Sequence, residues 1–353
     1  MLLRAEADAR LRSWGVPDDE IRRAREAGLV GLLAVAAAAV PGAGTYTPVE
    51  LAERVGMERQ LSKRFWRAMG FPDVPDDERL FTDVDVDALS TVQAMLTLGL
   101  TNVEVAIQLT RVIGSSQARI AEAMLASNEQ RAATQVAATG HETDLFAMAA
   151  DATLDTQSRL LDYVWRRHLQ AATRRRLMSD GTPGAPTMSM AVGFADLVGF
   201  TAMSQQISER ELAAVVSRFE SLAFESVTEH GGRVAKMIGD EVMFVVDGMD
   251  EALETALALA EAYADDDLLS DVRVGLAYGD VLALDGDYYG PVVNLASRIV
   301  NIALPGAVVV SESVHRAMGA DPRYVFHPLR VRSLKDIGRV RLWRARHGHP
   351  SLG

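Results

Sequence analysis

Residues 191–201, Ala-Val-Gly-Phe-Ala-Asp-Leu-Val-Gly-Phe-Thr, restrict the fold more than any other stretch of this chain. The apolar run reads as a strand buried in a sheet. It stops at a carboxylate, Asp196, where glycine breaks the pattern and a helical one begins. A second carboxylate, Asp240, lies in Arg233-Val-Ala-Lys-Met-Ile-Gly-Asp-Glu-Val-Met-Phe-Val-Val246, which reads as two strands folded over a Gly-Asp tip. Two acids at the ends of adjacent apolar strands suit hard divalent cations, and through them phosphate chemistry.

Composition changes near residue 180. Before it, alanine, leucine, arginine and glutamate recur at helical spacing: the pattern predicts helices over 10–39, 48–55, 62–69, 87–98, 102–113, 116–137, 142–150 and 156–178. Breaks fall at Pro41-Gly-Ala-Gly44 and between Pro72 and Pro75. Residues 179–186, Ser-Asp-Gly-Thr-Pro-Gly-Ala-Pro, read as a linker. Beyond it, strands are expected over 187–198, 272–278, 281–284, 307–310, 325–331 and 340–346, with the 233–246 hairpin between them. Helices are expected over 209–230, 250–264 and 294–303. The expected organisation is an all-α domain over 1–178, a linker over 179–186, and an α+β domain with a largely antiparallel sheet over 187–353.

The chain has 353 residues, enough for two ordinary domains with a sizeable core in each. The absence of cysteine excludes disulfides and thiolate metal sites and fits a reducing compartment. A net charge of −12 argues against a general nucleic-acid binder. The longest apolar run, Gly28 to Val40, ends at Pro41, short of the roughly 20 residues a membrane helix needs. The start, Met-Leu-Leu-Arg-Ala-Glu-Ala-Asp, lacks the pattern of an export signal. The expectation is a soluble, cytoplasmic protein without a membrane span.

A third segment, Asp287-Tyr-Tyr-Gly-Pro-Val-Val-Asn-Leu-Ala-Ser-Arg298, puts Asn294 and Arg298 four apart where a helix is expected to begin, so both project from one face of its first turn. An amide and a guanidinium there are fitted to a sugar and a phosphate. Taken singly, each residue has a plain reading: Asp196 as a helix N-terminal acid, Gly239-Asp240 as a turn, Asn294 as a cap, Lys236, Asp287 and Arg298 as solvated charges. Their joint occurrence, in order, is what calls for another.

On these motifs, residues 187–346 resemble the catalytic domain of class III nucleotide cyclases, and the resemblance implies its ferredoxin-like, palm-like sheet. Asp196 in Phe-Ala-Asp-Leu-Val-Gly-Phe-Thr and Asp240 in Lys-Met-Ile-Gly-Asp match the family's two metal-binding aspartates. Lys236 and Asp287 match its adenine-reading pair. Asn294 and Arg298, in Val-Asn-Leu-Ala-Ser-Arg, match its ribose-orienting amide and transition-state arginine. Lys335, in Leu-Lys-Asp-Ile-Gly338, stands where the family often has a lysine for the terminal phosphates, although the usual Lys-Gly-Ile is here Lys-Asp-Ile.

The implied reaction is in-line attack of the ribose 3′-hydroxyl of ATP on the α-phosphorus, with pyrophosphate leaving and two Mg²⁺ or Mn²⁺ ions held by Asp196 and Asp240. Arg298 is expected to stabilise charge on the α-phosphate and Asn294 to fix the ribose. Lys236 only donates and ionised Asp287 only accepts, which complements the N1 and 6-amino groups of adenine and opposes guanine. Lys236 and Asp240 share one short hairpin, yet base and metals sit at opposite ends of ATP. The family resolves this with a head-to-tail dimer, so the complete residue set implies a homodimer with composite sites.

In the helical half, residues 46–66 have a helix-turn-helix cadence, and with Phe81 to Leu89 and Leu98-Gly-Leu-Thr they resemble a MerR-like winged helix. The acids Asp83, Asp85 and Asp87 weigh against DNA contact. The order of a helical half before a cyclase half resembles mycobacterial-type soluble cyclases with an autoinhibitory domain, some of them pH-regulated or fatty-acid-binding. That implies a proton or lipid effector. The expected coupling element is the helix through Trp165-Arg-Arg-His168 and Arg174-Arg-Arg176, with His168, and with it His141, as the side chains whose charge changes near neutral pH. Two other functions stay open: a sensory or DNA-binding regulator whose cyclase-like domain is weakly active, and a guanylyl cyclase.

Overall fold

The computed structural model describes residues 2–139, 143–178 and 187–348, and it divides into two compact units, Met1–Ser179 and Asp180–Gly353.

The first unit consists of helices α1 (Leu2–Ser13), α2 (Asp18–Glu26), α3 (Val30–Ala39), α4 (Pro48–Val55), α5 (Arg59–Ala68), α6 (Asp83–Thr97), α7 (Val103–Thr139) and α8 (Thr143–Met178). The single helix expected over 10–39 is three. Gly15 at φ 90° and Gly28 at φ 73° take the left-handed backbone that ends a helix, and Pro17 caps the next. The break expected after Ile113 is absent. Gly114 stays helical because its missing side chain lets α7 lie on the end of α5, where a Cβ would stand 2.4 Å from the Met69 carbonyl oxygen. The break expected between 150 and 156 is likewise absent: Asp151 is paired with Arg10, and Thr156 Oγ donates to the Ala152 carbonyl within α8.

Two apolar clusters hold this unit, one around Leu11, Ile21 and Val30, the other around Leu51, Phe65, Phe81 and Leu89. Each large aliphatic or aromatic side chain fully buried there stabilises by about 1.5–3 kcal/mol. Thr47 and Glu50 form a reciprocal cap on α4. Three of the four cations of α5 are met within the unit, Arg59 and Lys63 by Asp76 and Arg67 by Asp73.

The second unit runs β1 (Thr187–Leu197), α9 (Phe200–Ser204), α10 (Glu209–Glu229), β2 (Arg233–Ile238), β3 (Glu241–Val246), α11 (Met249–Ala264), β4 (Val272–Leu284), β5 (Asp287–Tyr289), α12 (Pro291–Val300), β6 (Val308–Ser311), α13 (Glu312–Met318), β7 (Tyr324–Pro328), β8 (Arg332–Leu334), β9 (Gly338–Val340) and β10 (Leu342–His347). The main sheet has the order β2-β3-β1-β4-β6-β10-β7, with β5 on the end of β4. Its pairs are antiparallel except β4 with β6. The mixed α+β architecture expected for this half is therefore observed.

Alternation along the central strands sorts their side chains. Ala191, Ala195 and Leu197 of β1, with Val242, Phe244 and Val246 of β3, pack against α10 and α11. Met190, Val192 and Phe194 of β1, with Met243 and Val245 of β3, pack toward α12. The helix expected over 294–303 begins three residues sooner, because Gly290 at φ 136° turns the chain and Pro291 supplies the first helical residue. Asn294 and Arg298 therefore share a face beyond the first residues of α12. The strands expected over 272–278 and 281–284 are one, β4, since Gly279 at φ 156° continues the pairing with Met190. Helices α9 and α13 and the β8–β9 hairpin were not expected from the sequence. Among the described residues no helix is long and apolar enough to cross a membrane.

Candidate active site

Asp196 is the penultimate residue of β1. The period-two alternation that sends Ala195 and Leu197 to the α10–α11 side puts Asp196 on the α12 side. Its register partners are Glu241 on β3 and Arg273 on β4. Asp240 occupies the β2–β3 turn behind Gly239, whose φ of 65° allows the two-residue reversal. The Leu197 N–H donates to the Asp240 carbonyl at 3.0 Å, which ties the end of β1 to that turn.

The electrostatics of this corner are those of crowded acids. Burial pushes the Asp196 carboxyl up and the charge of Asp240 adds to it, while the Arg273 guanidinium, bonded to Asp196 Oδ2 at 2.5 Å, pulls it down; the net shift is upward. Glu241 is pushed up to about 7, first by burial and then by the charges of Asp196 and Asp240. Carboxylates that oppose each other's ionisation form a set of hard oxygen donors whose charge stays net negative with Arg273 beside it, which fits Mg²⁺ or Mn²⁺. Among the described residues no three acids or histidines are grouped to cage an ion by protein alone. Two carboxylates sharing a cation with phosphate oxygens is the arrangement magnesium favours in nucleotide sites.

Lys236, in register with Met243, points to the same α12 side of the sheet. Its Nζ donates to Asp287 Oδ2 at 2.5 Å, joining β2 to β5. Burial works to raise the Asp287 carboxyl, but the Lys236 ammonium and the Tyr288 N–H outweigh it and hold the group below the usual carboxylate range. Asp287 is thus an ionised acceptor at neutral pH, next to a cationic donor.

Helix α12 reaches the sheet over Gly275, where a Cβ would stand 2.5 Å from the Val300 nitrogen and 2.7 Å from the Ala296 carbonyl oxygen. With Ala296, Ile299 and Val300 buried against the sheet, Asn294 and Arg298 are left exposed on the outer face. Lys335 is exposed at the tip of the β8–β9 hairpin. Asp336 beside it has a φ of 63°, the left-handed backbone glycine adopts most easily, and its Oδ2 stands 4.0 Å from the Arg298 guanidinium.

Six of the expected residues thus fall on one unit and form two side-chain groups, the acids and the Lys236–Asp287 pair, with Asn294 and Arg298 on an open helix face. His168 is exposed on α8 of the other unit. His141 lies outside the described residues. Sequence reasoning missed Glu241, Arg273 and Asp336. Glu241 follows Asp240 directly and its acidity was a signal. Arg273 becomes visible only through strand register.

Residues 184–343 match the family "Adenylate and Guanylate cyclase catalytic domain", and residues 3–158 match "Adenylate cyclase regulatory domain". An adenylate cyclase of Streptomyces coelicolor is 37% identical over 75% of this chain and 69% of its own. One of Glutamicibacter nicotianae is 32% identical over 82% and 76%. A pH-sensitive adenylate cyclase of Mycobacterium tuberculosis is 31% identical over 98% of this chain and 89% of its own.

Proposed function

The chain belongs to the adenylate cyclase family, an enzyme with a regulatory domain ahead of a class III catalytic domain, and from that premise we propose that two copies of it share each site at which ATP becomes 3′,5′-cyclic AMP and pyrophosphate. In the reaction the ribose 3′-oxygen bonds to the α-phosphorus, the bond from that phosphorus to the bridging oxygen breaks, pyrophosphate leaves, and the hydroxyl proton passes to solvent.

The observation that carries this reading is the backbone tie between the end of β1 and the β2–β3 turn, where the Leu197 N–H beside Asp196 donates to the Asp240 carbonyl, so that the charge of Asp240 opposes the ionisation of Asp196. They would hold two divalent cations, Mg²⁺ or Mn²⁺, which when bound lower the pKa of the hydroxyl and neutralise phosphate charge. The chain's other residues bind and orient. Asp287 accepts from the adenine 6-amino group and Lys236 donates to N1. Guanine presents the opposite pattern at that edge and leaves both charges unmatched. Asn294 holds the ribose for in-line attack. Arg298 meets the charge that grows on the α-phosphate, a contribution whose loss typically costs roughly 100- to 1000-fold in turnover. Lys335 is assigned to the terminal phosphates.

The composite site is supported by the hairpin that carries both Lys236 and Asp240, since one short reversal cannot reach the two ends of ATP. It is supported too by the exposure of Asn294 and Arg298, which leaves them available to a partner. The test is to mix Asp196→Ala with Arg298→Ala, each inactive alone. Turnover returning in mixed dimers supports the shared site, and its absence when mixed dimers form rejects it. Turnover of GTP in preference to ATP would instead favour guanylyl cyclase activity, and no turnover of either a nucleotide-binding regulator.

Residues 1–178 are assigned the control of that dimer. A lipid-like effector is supported by an apolar cavity of about 370 Å³ lined by Trp66, Met69, Phe71, Leu89 and Ile113 among others. A proton effector acting through His168 on α8, with His141, rests on the histidine chemistry alone. Comparing the whole chain with residues 187–353 across pH tests control as such: equal turnover in both rejects it. An unchanged pH profile in His168→Ala removes that residue.

A further inference from the structure

Strand β10 carries two arginines, Arg344 and Arg346, that none of the roles above uses. Leu342 packs on the α12 side of the sheet, and Trp343 and Ala345 pack on the α10–α11 side. Alternation therefore puts Arg344 and Arg346 together on the α12 side. Arg344 is in register with Val309 of β6, which is buried on that side, and with His327 of β7. Directly opposed residues stand about 5 Å apart at Cβ, and residues two apart on one strand about 7 Å. Two guanidiniums and an imidazole thus share one small patch.

Arg344 is its half-buried floor, with Arg346 and His327 exposed at the rim. The Arg344 Nε is buried without a hydrogen-bond partner. Arg25, Arg233 and Arg273 also have such an Nε, and each of them pairs with an aspartate. Among the described residues no carboxylate pairs with Arg344 or Arg346. Burial, and then the charge of Arg346, push the Arg344 guanidinium below the ordinary arginine value. A buried cation costs free energy unless an anion answers it, and a second cation beside it adds to that cost.

We propose that Arg344, Arg346 and His327 form an anion site for a phosphoryl group, separate from the site assigned to ATP. One guanidinium fork saturates the planar oxygen pair of a carboxylate, whereas donors from three side chains suit the tetrahedral oxygens of phosphate. Arg344 donates from below, and Arg346 and His327 donate from the rim. Three strand spacings, about 14 Å, separate β10 from β1, which puts the patch away from the acid corner. Free phosphate and a phosphatidate headgroup offer the same chemistry, and the experiment separates them.

The test is calorimetric titration of inorganic phosphate into the whole chain, at constant ionic strength and in EDTA, so that no divalent cation recruits phosphate to Asp196 and Asp240. Arg344→Gln should weaken the phosphate Kd about tenfold or more, through loss of charge-assisted bonds. Arg346→Gln should weaken it less, and Arg298→Ala should leave it at the parental value. Parental affinity in Arg344→Gln overturns the inference. So does binding that is lost in Arg298→Ala, which would move it to the substrate site. Should Arg344→Gln fail to fold, the exposed Arg346 decides in its place: parental affinity in Arg346→Gln again overturns the inference. Phosphatidylcholine vesicles carrying phosphatidate are the second arm. If free phosphate does not bind, vesicles that sediment with the parent but not with Arg344→Gln assign the phosphoryl group to a lipid. A parent that binds neither probe overturns the inference.

Discussion

The Asp336 carboxylate stands 4.0 Å from the Arg298 guanidinium, at the tip of a hairpin where the backbone takes a φ of 63°. The left-handed turn accounts for glycine being usual at this place in Lys-Gly-Ile sequences, and aspartate is among the few other residues that tolerate it. Both partners are exposed, so the pair is worth at most about 1 kcal/mol. Its position matters more than its strength, because it puts a negative charge beside the arginine assigned to phosphate.

Asp336→Gly and Asp336→Asn should therefore both lower the KM for ATP, by about two- to fivefold at low ionic strength, with the gain fading as salt is added. Steady-state kinetics across a salt series read this directly. A KM unmoved in both variants would place Arg298 away from the phosphates.

The Lys236–Asp287 pair makes a sharper prediction. Lys236→Ala leaves a half-buried carboxylate without its ammonium. ATP kcat/KM should fall by about 100-fold or more, as when a buried polar partner is left unmatched. Lys236→Glu combined with Asp287→Ser reverses the donor and acceptor pattern and should raise GTP turnover relative to ATP. Relative turnover of the two nucleotides checks this, and an unchanged ATP preference in the double variant would mean that adenine is read elsewhere.

Much of the catalytic unit was legible because its signals are local. Period-two alternation marks β1 and β3 and puts Asp196 at the end of one, and the Gly239-Asp240 tip marks the hairpin. The contacts that complete the site are not local. Arg273 meets Asp196 only because β4 pairs with β1, and Asp336 meets Arg298 only because the β8–β9 hairpin comes back beside α12. In the helical unit glycine has two uses, and the expected helices ran through Gly15 and Gly28 but broke at Gly114, the reverse of what the structure has. Gly15 and Gly28 end helices through left-handed backbone, whereas Gly114 sits within α7 to let another chain segment approach. Spacing alone does not distinguish those uses.

Gly275 has the second of these uses in the catalytic unit. A methyl there would meet the α12 backbone at 2.5 Å and 2.7 Å, and backbone cannot turn aside as a flexible side chain can. Gly275→Ala should lift α12 from the sheet, costing about 1–3 kcal/mol of stability, and carry Asn294 and Arg298 with it. Displacements near 1 Å at such groups cost about 100-fold in rate, so kcat should fall to that degree in a protein that still folds. Turnover together with a melting curve checks this. Parental kcat would show that α12 does not set the geometry of the reacting groups.

His347 carries the pH dependence that can be assigned from charge alone. Its ring lies between Glu254 and Glu261, at 3.1 Å and 2.9 Å, linking β10 to α11. Burial works to lower its pKa, and the two carboxylates outweigh that, leaving it above the ordinary value of 6.5. A histidine whose folded pKa is raised binds its proton more tightly folded than unfolded. Its contribution to stability is thus fully present below about pH 6.5 and is lost as pH rises through the higher folded value. His347→Gln should lower Tm below that point and have little effect well above it, so the Tm difference between parent and variant should shrink from pH 6 to pH 9. Melting curves of both across that range check the sign, and a difference that grows with pH would mean that His347 is held neutral in the fold.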